Sequence, residues 1–521
     1  MELNSIRALE QATNLGRGEL FRIGTALLFI IAIMLVSYAR FEAVPNAHLL
    51  VVAAMIGGYM ALNIGANDVA NNVGPAVGSK AITLTGAILL AATFEAGGAL
   101  IAGGDVVSTI KKGIIDPTLI PDSEVFIWIM MAALLAAAIW LNAATALGAP
   151  VSTTHSIVGG VLGAGIAAAG WGIADWSQVG AIAASWVISP VLGGVIAAAF
   201  LYFIKRTIVY RSDKVTAAKR IVPLLISIMA WSFSTYLILK GLKRLWKFDI
   251  VSAALLGLAI AIAIFFLVKP LILKASVKLE NDRDSINKLF IIPLIFAAAL
   301  LSFAHGANDV ANAVGPLAAI NDAIMSGGVA KKAAIPLWIM LVGAIGIALG
   351  LALYGPKLIR TVGSEITELD KMRAFCVAMA AAITVILASQ LGLPVSSTHI
   401  AVGGIFGVGF LREYLEANHA RMLDDIREHH HQVAPEVVDA FLEKFEEADI
   451  DEKGRLLKEL KAERGPNLLK RDRKELRKVY RKELVKRSIL LKIAAAWVIT
   501  VPMAGVLAAG LFFMLRGILL P

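Results

Sequence analysis

Cysteine is nearly absent: Cys376 is the only one in 521 residues. An internal disulfide framework is therefore excluded, and so is a metal site built on thiolates. Charge is scarce too, with Asp, Glu, Lys and Arg at 17% against 58% hydrophobic residues and a mean hydropathy of +0.75. Soluble globular domains do not have that balance. No phosphate-cradling loop of the GxxxxGK[ST] kind occurs, which argues against work driven directly by ATP. A removed signal peptide is also unsupported, because MELNSIRALEQATNLGRGELFR carries mixed charge and no small-residue cleavage site follows the first apolar run. Residues 23 to 39 read as a retained helix.

What the chain has in abundance is long apolar stretches. Runs free of charged side chains cover 23 to 39, 49 to 67, 125 to 174, 178 to 204, 250 to 268, 289 to 308 and 333 to 356, and a last one at 488 to 515 is interrupted only by Lys492. Several are long enough to span a hydrocarbon core of about 30 Å, and the longest hold two passes each, giving about twelve transmembrane helices. The formal charge of +10 sits in a few segments between apolar runs. That is the placement of topology signals and argues against a nucleic-acid partner; the lipid bilayer is the expected surrounding.

Self-similarity organises the rest. GANDVANNVGP (Gly65 to Pro75) and GANDVANAVGP (Gly306 to Pro316) agree at ten of eleven positions, 241 residues apart. GAPVSTTHSIVGG from Gly148 and GLPVSSTHIAVGG from Gly392 follow in the same order, and a weaker third pair starts at Ala184 and Ala495. Basic residues follow the Trp186 helix but precede the Trp497 helix, so the positive-inside rule makes equivalent helices cross in opposite senses. The expected fold is an all-α polytopic membrane protein with inverted-topology repeats, broken or re-entrant helices at the centre and a soluble helical insert. The divisions are 1–45, an N-terminal segment with an extra helix; 46–205, the first repeat; 206–288, linking helices; 289–411, the second repeat's first part; 412–487, a charged cytoplasmic helical insert; and 488–521, the final helix. His429 to His431 in that insert have no spaced partner ligands and read as solvated.

Ionisable residues inside apolar segments cost roughly 2.5 to 3.5 kcal/mol each on insertion, which sets Asp68 and Asp309 apart. Gly74-Pro75 and Gly315-Pro316 follow shortly after, where a continuous helix is not expected. Pro150 and Pro394 stop any preceding helix, so Ser152 and Ser396 are placed to cap the next one, and free amides with hydroxyls suit a tetrahedral oxyanion. The carboxylates suit a hard cation such as Na⁺, or a P–OH donor. A plainer alternative has Asn67, Asp68, Asn308 and Asp309 capping broken helices. Glu95 is the only charged residue between Lys80 and Asp105 and is a cation or proton candidate. His155 and His399 occupy matching positions, whereas His305 faces Ile64 in the repeat; a proton relay and a satisfied helix-end histidine are both open for them.

These motifs, with TFEAGG and KKGIID from Lys111, resemble the inorganic phosphate transporter (PiT) family, over roughly residues 45 to 205 and 285 to 515. The resemblance implies no enzyme activity and no cofactor, but symport of inorganic phosphate with Na⁺ or H⁺ by alternating access in the plasma membrane, the inner membrane in a Gram-negative cell. It implies phosphate binding by Asn67, Asp68, Ser152, Thr153, Thr154, Asn308, Asp309, Ser396, Ser397 and Thr398. Cation binding falls to Asp68, Asn71, Asp309, Asn312 and Glu95. A sulfate or other oxyanion permease, or a transport-derived phosphate sensor signalling through the insert, are the competing expectations, and a homo-oligomer is compatible with either.

Overall fold

The computed structural model describes residues 2–120, 122–147, 151–241, 248–326, 335–365, 369–430 and 487–519. Among them every extended element is a helix: α1 (Glu2–Phe41), α2 (Ala47–Asn67), α3 (Val69–Gly78), α4 (Leu84–Ala102), α5 (Gly104–Lys112), α6 (Ser123–Ala146), α7 (Thr153–Ala169), α8 (Trp176–Ile204), α9 (Lys214–Gly241), α10 (Ile250–Ala275), α11 (Arg283–Lys288), α12 (Ile291–Ser326), α13 (Leu337–Glu365), α14 (Lys371–Gln390), α15 (Ser397–His430) and α16 (Arg487–Leu519). Among the described residues eleven spans are long and apolar enough to cross a membrane, with α2 and α3 forming one of them. The helix α7 is shorter, because it begins in the buried centre of the protein rather than at a surface.

Large apolar side chains on the outside, such as Leu255, Phe266 and Leu267 on α10 and Val506 on α16, are exposed, while Asn, Asp, Thr and His side chains are buried. That inversion is what a lipid solvent selects. Outside the spans, carboxylates start the helices: Asp249 accepts from the amides of Val251 and Ser252 at the head of α10, and Asp282 from Ser285 at α11.

Glycines set which helices come close. A Cβ added at Gly65 would lie 1.9 Å from the Ile347 carbonyl oxygen, and one at Gly350 would lie 1.9 Å from that of Leu62, so α2 and α13 touch backbone to backbone. The same relation joins α12 to α4 through Gly306 against Glu95 (2.2 Å) and Gly98 against Phe303 (1.9 Å). A second set joins α7 to α16 through Gly163 and Gly505 (2.1 Å), and α15 to α8 through Gly407 and Gly194 (2.1 Å). Each close pair takes one helix from each sequence half. The halves are therefore interleaved, and these close pairs form two sets: α2, α4, α12 and α13 in one, α7, α8, α15 and α16 in the other.

With one crossing each taken for α2–α3, α4–α5, α8, α9 and α10 among the described residues, and with α6–α7 taken as a hairpin that returns to its starting side, an odd number of crossings separates α2 from its repeat partner α12. Equivalent helices then run in opposite senses, in line with the charge asymmetry.

Two expectations need correction. The helix does not break at the Gly-Pro steps: α3 contains Pro75, and α12 runs without interruption through Asp309 and Pro316. Proline removes only its own N–H, so the carbonyls of Asn71 and Asn312, four residues earlier, lose their usual donor while the helix continues in a protein-lined interior. Asp68 marks the one junction, between α2 and α3, and it keeps helical angles (φ −82°, ψ −36°). Second, residue 412 is not a structural boundary, since α15 continues to His430. The remainder of the expected insert, and His431, lie outside the described residues.

Candidate substrate and cation site

The breaks that matter are at the PVSTTH and PVSSTH motifs. Ser152 accepts from the His155 amide (3.1 Å) and Ser396 from that of His399 (3.3 Å), so both serines cap α7 and α15 as their residue type and position demand. The first turns of the two helices meet in the interior, where Thr154 Oγ1 donates to the Val395 carbonyl (3.0 Å). Two helix N-termini, each with unpaired amides and about half a positive charge, thus converge.

Facing them are the GAND motifs. Thr153 Oγ1 donates to Asp68 Oδ2 (2.6 Å) and lies 3.4 Å from Asp309 Oδ2, while Thr398 Oγ1 donates to Asp68 Oδ1 (3.3 Å). Asn71 Nδ2 donates to Thr398 Oγ1 (2.8 Å), and Asn312 Nδ2 to Thr153 Oγ1 (3.1 Å) and Thr154 Oγ1 (3.2 Å). The two asparagines play matching parts, each holding hydroxyls of the opposite half. Asp68, Asn71, Asp309 and Asn312 are all 1% exposed.

The expected residues divide by role. Asp68, Asn71, Thr153, Thr154, Asp309, Asn312 and Thr398 form one connected cluster. Asn67 and Asn308 instead support the motif loops: Asn67 Nδ2 donates to Thr145 Oγ1 (2.9 Å) and its Oδ1 accepts from the Val151 amide (3.3 Å), and Asn308 Nδ2 donates to Ser389 Oγ (3.0 Å) and the Leu393 carbonyl (3.2 Å). Ser152 and Ser396 use their side-chain oxygens as caps. The hydroxyl of Ser397 has no hydrogen-bond partner among the described residues.

Glu95 joins through a histidine. Its Oε2 is 2.7 Å from His305 Nδ1, its Oε1 accepts from Asn72 Nδ2 (2.7 Å), and His305 Nε2 lies 2.9 Å from Asp309 Oδ2. A chain of Asn72, Glu95, His305 and Asp309 therefore runs into the cluster from one side only. Since Gly306 packs on Glu95 as Gly65 packs on Ile347, the counterpart of Glu95 is Ile347. With Ile64 at the position equivalent to His305, the counterpart pair is apolar. Oxygen and nitrogen ligand atoms of Asp68, His305 and Asp309 lie within 4.8 Å of one another, close enough to hold a cation. The Asn71, Asn312 and Asp309 Oδ1 atoms, buried and without hydrogen-bond partners among the described residues, add acceptor capacity that suits a cation.

Sequence reasoning passed over Asn72, Thr145, Ser389 and the buried Lys111–Asp322 ion pair, which ties α5 to the end of α12. A signal existed for Asn72, because position 72 is the one place where the two eleven-residue motifs differ, Ala313 standing opposite it.

The chain is similar to known proteins over most of its length. The sequence profile described as "Phosphate transporter family" matches residues 64–508. A protein of Helicobacter pylori (strain J99) named as a phosphate permease is 54% identical over 98% of both chains. One of Pyrococcus abyssi, with the same kind of name, is 38% identical over 72% of this chain and 92% of its own length. Among solved structures, "The sodium-dependent phosphate transporter" superimposes with a TM-score of 0.74 at 33% identity, covering 91% of this chain and all of that one.

Proposed function

Because the chain belongs to the phosphate transporter family, a family of multi-pass membrane transporters rather than enzymes, we propose that it carries inorganic phosphate by symport with Na⁺ through the cluster around Asp68 and Asp309. The observation that carries this reading is that Thr153 and Thr398, one from each half, both donate to Asp68 where two helix N-termini meet.

The chemistry follows from charge. Helix amides with the Thr153, Thr154, Ser397 and Thr398 hydroxyls are donors for a tetrahedral oxyanion. Phosphate beside Asp68 and Asp309 is repelled unless a cation compensates them, and a cation in a buried site is poorly held without the anion. Each ion thus raises the affinity for the other, which is what coupling requires. Asn71, Asn312 and the carbonyls that proline leaves without their usual donor supply further hard oxygen ligands, and Glu95 extends the acidic side. Na⁺ is favoured over H⁺ by this oxygen-rich set and by the sodium dependence in the name of the structural relative. Alternating access is supported by the two sets of closely paired helices, since the carboxylates sit on one set and the hydroxyls on the other. The membrane we assign is the plasma membrane, the inner one in a Gram-negative cell.

The test is uptake of labelled phosphate by proteoliposomes with Na⁺ and pH gradients imposed separately. Uptake driven by Na⁺ alone, with excess sulfate competing poorly, is expected; equal competition by sulfate would overturn the substrate assignment, and uptake driven only by a pH gradient the cation assignment.

A further inference from the structure

Four aromatic rings stand in file across the boundary between the sequence halves. Trp186, His155, His399 and Trp497 have successive ring centroids 3.7, 4.5 and 3.6 Å apart. The outer contacts are stacked, at 26° and 25° between planes, and the inner one is tilted at 55°. His155 is the third residue of α7 and His399 the third of α15, so each imidazole directly follows a hydroxyl of the site, Thr154 or Thr398. His155 Nδ1 is also 2.7 Å from Oγ of the capping Ser152.

The tryptophans are fixed from outside. Trp186 stands on α8, which is locked against α15 where Gly403 meets the Pro190 carbonyl (2.2 Å from an added Cβ). Its Nε1 donates to the Pro394 carbonyl (3.2 Å), in the loop that starts the other half's hydroxyl motif. Trp497 stands on α16, locked in the same way against α7 at Gly159 and Val501 (2.5 Å). Helices α7 and α15 meet at their first turns, so the spacing of their N-termini is set there. Hydroxyls from different halves can serve one tetrahedral ion only if that spacing holds to a fraction of an ångström.

We propose that Trp186 and Trp497 are positioning residues for the anion: they clamp His155 against His399 and hold the two hydroxyl-bearing helix starts at one separation, so that both hairpins travel as a unit. This rests on the phosphate reading given above. Flat rings in contact resist compression and carry this role, whereas a flexible aliphatic side chain of similar volume does not.

The experiment uses the full chain in proteoliposomes at saturating cation and reads the phosphate concentration for half-maximal uptake and the maximal rate separately. Trp186→Leu should raise the half-maximal concentration at least tenfold, with the maximal rate and melting temperature near those of the wild type. Trp186→Phe, which restores a ring, should bring it back to within threefold. A file broken at one end is already broken, so the double variant Trp186→Leu with Trp497→Leu should be no more than threefold worse than either single one. His399→Phe against His399→Leu repeats the comparison from the centre of the file and decides the matter if Trp186→Leu does not fold. Equal half-maximal concentrations for ring-keeping and ring-removing variants would overturn the proposal. Failure of the wild type to take up phosphate would instead sink the functional reading beneath it.

Discussion

Asp68 and Asp309 occupy identical motifs, yet their surroundings differ in kind. Asp68 receives two threonine hydroxyls, whereas Asp309 faces His305 and, through it, Glu95 and Asn72. At the positions equivalent by the repeat, Ile64, Ile347 and Ala313 stand in place of His305, Glu95 and Asn72. Asp68→Asn and Asp309→Asn should each abolish cation-coupled uptake while leaving the melting temperature close to wild type, because the amide fits the same space without the charge. Glu95→Gln keeps the Asn72 contact but removes the carboxylate. We expect uptake at a fixed gradient to fall by about tenfold, equivalent to about 1.4 kcal/mol, chiefly through weaker cation dependence. Asn72→Ala should show part of that loss, measured as a shift in the cation concentration for half-maximal rate.

At the scale of helices, glycine contacts and end caps do the structural work. Gly407→Ala would push a methyl to 2.1 Å from the Gly194 carbonyl, while Gly172 has nothing within 4 Å. Overpacking of this kind costs about 1–3 kcal/mol, so Gly407→Ala should lower the thermal midpoint in detergent by several degrees and Gly172→Ala should leave it unchanged. The α10 cap adds a pH dependence. Hydrogen bonds from the Ser252 hydroxyl and amide hold the Asp249 carboxyl below the usual carboxylate range. A carboxyl depressed by folding stabilises the folded state above its unfolded value near 3.9 and loses that contribution as pH falls through the folded value. Melting curves of Asp249→Asn should therefore lose the share of acid destabilisation that this cap contributes to the wild type below about pH 4.

For the molecule as a whole, parity is the firmest consequence of the helix count. Among the described residues, nine spans taken as single crossings, with α6–α7 and α14–α15 each taken as a hairpin that returns to its starting side, put the start of α1 and the end of α16 on opposite faces, and the end of α15 and the start of α16 on the same face as the start of α1. Tags at the two ends should be accessible from opposite sides of right-side-out vesicles, and a protease should reach residues 412–487 only where it reaches the N-terminus. Deleting that segment should leave uptake intact if transport is the primary task.

The sequence by itself determined the membrane class, the duplicated motifs and the residue types of the site, because hydropathy and repetition are local properties written along the chain. It also located the two serine caps, since a hydroxyl after a proline that ends a helix has few other uses. Only the tertiary structure decided that the Gly-Pro steps do not break their helices, that Asn67 and Asn308 hydrogen-bond to the segments before the hydroxyl motifs, and that Glu95 reaches Asp309 through His305. The last contact joins residues 210 apart in the chain, and it depends on which backbones can approach at glycine. Partner choice at that separation is a matter of packing, which no periodicity in the sequence encodes.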